Sequence, residues 1–287
     1  MGPIRFPMIA VVMIMATCNA GQPGNPEGSV EGTSTTAMPS VPFDHTHAAW
    51  TALLERHVAW NDDATATAVD YGGFANDGGA LDEYLTTLGD VPRGQYDGWT
   101  WDERQAFLIN AYNAATVQLI LTRYPNLESI NELGGFLSTP WKKTFVALLG
   151  QEHSLDDIEH GLLRGAPEYV DPRIHFAVNC ASIGCPALRP EAFVADRLDQ
   201  QLHDQTQRFL RDTTRNRLVG DSTLELSKIF DWYGEDFDGV GGVAAFVATY
   251  PDAIGASVEQ VAAIRAGDVE IRFLEYDWAL NSSAVDG

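Results

Sequence analysis

TWDERQAFLINAYNAATVQLILTRYP, residues 100–125, carries the pattern that decides the fold. Thr100 followed three residues later by Glu103 is the signature of a capping box, and Pro125 marks where a helix must stop. Between them apolar residues fall on almost every face, so the helix predicted here has no solvated side and belongs in an interior. Asn110 and Asn113 stand three residues apart, on neighbouring positions of one face. A buried amide left without partners costs about 1–3 kcal/mol. Each asparagine must therefore bond something specific, either a loop that it ties down or a ring that it orients in a site.

Around this helix the pattern is mixed. AAWTALLERHVAW (48–60) and ALDEYLTTL (80–88) have amphipathic helical spacing, EAFVADRLDQQLHDQTQRFLRD (191–212) resumes it, and SVEQVAAIRAG (257–267) is a last helix. RIHFAVNC (173–180) has the β-branched and aromatic character of a strand, STLELSKIF (222–230) alternates as one, and VEIRFLEYDWALN (269–281) follows the final helix. No regular strand–helix–strand beat links them, so the expected class is α+β, a mostly helical single domain over 44–287 with a small sheet.

Site chemistry is concentrated in IHFAVNCASIGCPALR, 174–189. On a strand Phe176, Val178 and Cys180 share one face and His175, Ala177 and Asn179 the other, which separates His175 from Cys180. A base for Cys180 then has to come from another element. HSLDDIEHGLLRG (153–165) reads as a short helix with Ser154 as N-cap and Asp157 at its third position. Leu155, Ile158 and Leu162 define its buried stripe; Glu159 falls inside that stripe and His160 at its flank. His160 is thus the candidate base, and Asn113, Glu159 or Asp277 the candidate partner that orients it, Asp277 being carried there by the alternation Val269, Ile271, Phe273.

The first residues hold one cation, Arg5, and an apolar run from Met8 to Ala16, too short to span a bilayer and suited to a secretory signal over 1–20. Cleavage after Ala20 and lipid attachment at Cys18 are the two outcomes weighed, giving a free periplasmic protein or a membrane-anchored lipoprotein. Residues 19–43 are rich in Gly, Pro, Ser and Thr and read as a flexible tether. A formal net charge of −22 argues against nucleic acid or an anionic membrane surface as partner, leaving a lipid anchor as the one membrane contact expected. No GxxxxGK[ST] or strand-linked GxGxxG occurs, so no cofactor is expected, and a metal enters only as one of the alternative readings below.

AFLINAYNAATV, SLDDIEHGLLR, DPRIHFAVNCASIGCPALR, KIFDWYGEDF and EYDWALN, in this order over about 100–281, resemble the family called domain of unknown function 547, in its exported bacterial form. The resemblance marks Asn110 to Asn113, Glu159 with His160, and Cys180 as recurring positions, and so favours Cys180 over Cys185 as nucleophile and His160 over His175 as base. A cysteine, a histidine and an amide or carboxylate are similar to the set in papain-like and transglutaminase-like enzymes. The histidine precedes the cysteine here, so only a permuted or convergent arrangement fits. Three readings follow: a thiol hydrolase or acyltransferase acting on an amide or peptide-like substrate; a non-enzymatic envelope binding or scaffold module with a Cys180–Cys185 disulfide; and a zinc site of His160, His175, Cys180 and Cys185.

Overall fold

A computed structural model describes residues 42–135, 138–165 and 171–283. The signal segment, Cys18 and nearly all of the tether lie outside the described residues. The chain runs through α1 (Ala48–His57), β1 (Val58–Trp60), β2 (Thr67–Val69), α2 (Tyr71–Asn76), α3 (Gly78–Gly89), α4 (Arg93–Asp97) and α5 (Trp101–Leu121). There follow β3 (Val146–Leu148), β4 (Gln151–His153), a π-helix (Asp157–Leu163), a 3₁₀ turn (Pro172–Phe176) and α6 (Leu198–Arg211). The last part holds β5 (Arg217–Val219), β6 (Thr223–Leu226), α7 (Ile229–Trp232), α8 (Gly242–Val247), α9 (Pro251–Ile254), α10 (Val258–Ala266) and β7 (Glu270–Phe273). Two antiparallel hairpins, β1–β2 and β3–β4, and a three-stranded sheet in which β6 pairs antiparallel with β5 and parallel with β7 make this an α+β fold with more helix than sheet.

Helix α5 is buried along most of its length, and its Thr100–Glu103 capping box is formed. Its apolar side chains, with those of α1, α2 and α3, fill one hydrophobic cluster; a second gathers Phe176, Phe209, Phe230, Phe237 and Phe246. The two buried asparagines on α5 act on backbone. Asn110 donates to Phe193 O at 2.7 Å and accepts from Phe193 N at 3.0 Å. Asn113 donates to Ala177 O at 3.0 Å and accepts from Asn179 N at 2.8 Å. Both amides tie down loops.

That second grip explains the largest departure from the sequence reading. Residues 173–180 are not a strand: Asp171 caps a 3₁₀ turn by accepting from Arg173 N at 3.0 Å, Pro172 opens that turn, and Asn113 supplies the bonds that a neighbouring strand would have supplied. The alternation that separated His175 from Cys180 therefore does not exist. Helix α1 also ends earlier than expected, because Val58 to Trp60 pair with Thr67 to Val69 as a hairpin. The helix expected at 154–164 keeps its Ser154–Asp157 capping pair but winds as a π-helix, whose wider turn buries Leu163 in place of Leu162. Beyond Phe273 no strand continues, so the face that was to carry Asp277 inward is lost.

Replacing Asn113 with alanine removes both bonds and leaves two buried backbone groups unpaired. We expect urea denaturation to show a loss on the order of 3 kcal/mol; a loss under ~1 kcal/mol would show that the amide does not hold the loop.

Candidate functional site

A cavity of about 370 Å³ opens where the π-helix, the 177–186 loop, α7 and the C-terminal segment meet, and Glu159, His160, His175, Cys180 and Cys185 all line it. The loop reaches this place through a tight turn. Ala181 adopts a left-handed conformation (φ 63°), held by Asn179 Oδ1, which accepts from its N–H at 2.9 Å. Ile183 N and Gly184 N donate to Ala279 O and Asp277 O, each at 2.8 Å, so the C-terminal segment straps the turn. At Gly184 a Cβ would lie 2.9 Å from the Tyr276 ring, which leaves room only for glycine.

This turn brings the Cα atoms of Cys180 and Cys185 to 6.0 Å, and the two sulfurs are bonded to each other. Ser182 donates to Tyr276 Oη at 3.0 Å, and Tyr276 in turn donates to Cys180 Sγ at 3.0 Å. Burial raises the Tyr276 phenol above its ordinary range, although Ser182 and Arg215 pull it down. As a disulfide Cys180 has no thiol, so the expected nucleophile exists only after reduction. The same bond takes both sulfurs from the zinc set, and among the described residues no group of three His, Cys, Asp or Glu stands ready to hold a metal.

The two histidines differ in setting. His160 is exposed, accepts from Arg164 Nη1 at its Nδ1, and places Nε2 3.5 Å from Asp156. His175 is buried, its Nε2–H donating to Asp236 Oδ2 at 2.6 Å and its ring stacked on Tyr233 with centroids 4.0 Å apart. Asp236 also takes a two-pronged bond from Arg164, Nε at 2.6 Å and Nη2 at 2.7 Å. Burial alone would raise the Asp236 carboxyl; the bonds and charges of His175 and Arg164 outweigh it and hold it well below the usual carboxylate range. His175 is thus the oriented imidazole of the cavity.

Glu159 faces His175 from the other side. It is 5% exposed, and its Oε1 lies 4.0 Å from His175 Nδ1; neither atom has a hydrogen-bond partner. Burial, and then the Glu159 charge, push the phenols of Tyr112 and Tyr233 above their ordinary range. The other expected partners stand elsewhere: Asn113 serves the loop backbone, and Asp277 is exposed, its Oδ1 accepting from Ala279 N at 2.9 Å. Arg164, Tyr233, Asp236 and Tyr276 were assigned no role from sequence, although KIFDWYGEDF and EYDWALN hold three of them. The adjoining acidic and aromatic residues in those segments were the available signal.

A carboxyl whose folded pKa is depressed adds stability above its unfolded value, near pH 4, and that stability is lost as pH falls toward the folded value. Asp236→Asn should therefore lower Tm most at neutral pH, with the gap to the unmutated protein closing below about pH 4. A gap independent of pH would contradict the linkage.

No curated protein and no solved structure gives a match to the chain. The family model described as protein of unknown function, DUF547, matches residues 96–210, from the end of α4 through most of α6, and stops short of Asp236 and Tyr276. Over that stretch the chain is similar to the DUF547 family, which supports the resemblance borne by its motifs.

Proposed function

We propose that this chain is an exported binding module of the bacterial cell envelope, with the cavity as the receptacle for a small peptide-like or amide ligand. The observation that carries this reading is the closed Cys180–Cys185 bond in the cavity wall, where a thiol enzyme would need a thiolate. A disulfide persists in oxidising compartments, which accords with a secretory leader at 1–20, whether the chain is released or held by a lipid at Cys18. The aromatic lining and the strapped turn give a concave, pre-formed surface of the kind that small molecules occupy.

A second reading rests on Cys180, His160, His175 and Glu159 sharing one cavity. On reduction Cys180 becomes a thiol in a cavity that two imidazoles also line, and a hydrolase or acyltransferase acting on an amide becomes chemically open, in a permuted papain-like or transglutaminase-like arrangement. In that state His175, already oriented by Asp236, competes with His160 for the role of base.

Alkylation of the unfolded, unreduced protein followed by peptide mapping separates the two. We expect Cys180 and Cys185 to resist alkylation until reduced; modification of both without reduction would overturn the disulfide-held module. For the reduced protein, a thiol-directed probe that labels Cys180→Ser as strongly as the unmutated chain would remove the enzymatic reading.

A further inference from the structure

We infer that the cavity binds an organic ammonium group, held between the Glu159 carboxylate and an aromatic wall, and that this is where the amino end of the peptide-like ligand sits. The inference deepens the binding reading proposed above and rests on it for the rest of the ligand.

Charge and burial point to a cation. Glu159 is a nearly sealed carboxylate on the cavity wall, and one of its oxygens has no hydrogen-bond donor. A buried carboxylate without a paired charge is costly, so the group that fills the cavity should bring positive charge or donors to it. The protein supplies donors from the phenols of Tyr112 and Tyr233, which hydrogen-bond the carboxylate, but little positive charge. Among the described residues His175 is the one side chain close enough to form an ion pair with Glu159, at 4.0 Å, and its other nitrogen already serves Asp236. Arg164, the nearest guanidinium in this network, is spent on Asp236 in a two-pronged bond.

Much of the remaining wall is aromatic. Trp232, Tyr276 and Trp278 pack with ring centroids 4.5–5.6 Å apart, and Trp141 stands 5.7 Å from Trp278. All four line the cavity, and Trp232 keeps 44% of its surface exposed. Indole and phenol faces attract cations, most strongly where water is excluded. An anionic ligand would meet the Glu159 charge, and the one Lys or Arg among the described lining residues, Lys142, is exposed. A neutral sugar could stack on the rings but would leave the carboxylate uncompensated.

The test uses the full oxidised chain and four small probes: alaninamide, N-acetylalaninamide, propylammonium and propanol. Binding is read from tryptophan fluorescence, since three indoles line the cavity, and by calorimetry. We expect alaninamide to bind at least tenfold more tightly than its acetylated form, and propylammonium to bind where propanol does not. Glu159→Gln should remove at least tenfold of the amine affinity. Should that variant fail to fold, Trp232→Ala, at a half-exposed position, should weaken both amine probes about fivefold. Equal binding of the two amides would overturn the ammonium site while leaving the binding module standing. Binding of propylammonium with neither amide would keep the ammonium site and remove the peptide-like ligand, and binding of none of the four would end both.

Discussion

One carboxamide on a buried helix holds the backbone from which the cavity is built. Asn113 lies deep in α5, and its two bonds fix Ala177 and Asn179, the residues that link the 3₁₀ turn carrying His175 to the turn carrying the disulfide. Backbone that is gripped in this way needs no strand partner, and it can therefore bend where a sheet would have kept it straight. Asn179 passes the constraint on by capping Ala181 with its own side chain and donating to Pro186 O at 2.7 Å. A left-handed alanine, a glycine pressed against a phenol and a five-residue disulfide turn are affordable because the interior side of the loop is fixed.

The charges in the cavity wall form a graded chain. Arg164 neutralises Asp236 through two parallel bonds, Asp236 orients His175, and His175 faces Glu159 across 4.0 Å. The compensation weakens at each step, from a doubly bonded ion pair to an imidazole contact and then to a carboxylate with an unmet oxygen. The ring of Tyr233 binds the chain together, stacked on His175 and lying under the Arg164 guanidinium, 5.3 Å from its centroid. The two unmet atoms of this chain, Glu159 Oε1 and His175 Nδ1, both belong to residues that line the cavity.

The sequence announced the buried helix, its capping box and the mixed α+β class, because apolar content and cap chemistry are local properties. It also announced that Asn110 and Asn113 must have partners, but the partners lie 64 to 83 residues away and left no local trace. Residues 173–180 misled because their β-branched and aromatic composition suits a strand, while the side chain that overrides it sits on α5. From that one error followed the placing of His175 on a face away from Cys180, which together with the family resemblance turned the choice of base to His160. The Cys180–Cys185 disulfide was readable as one alternative from the spacing of the two cysteines. The pairing of His175 with Asp236 joins residues 61 apart in chain positions that no periodicity connects.

The dependence of the cavity on a single amide is most directly measured by native-state hydrogen exchange at the Asn179 N–H. If Asn113 holds the loop as described, this amide exchanges with protection approaching that of α5, and Asn113→Ala releases it together with Ala181 while α5 retains higher protection. An Asn179 amide that exchanges in the unmutated protein as fast as an exposed loop would contradict the account.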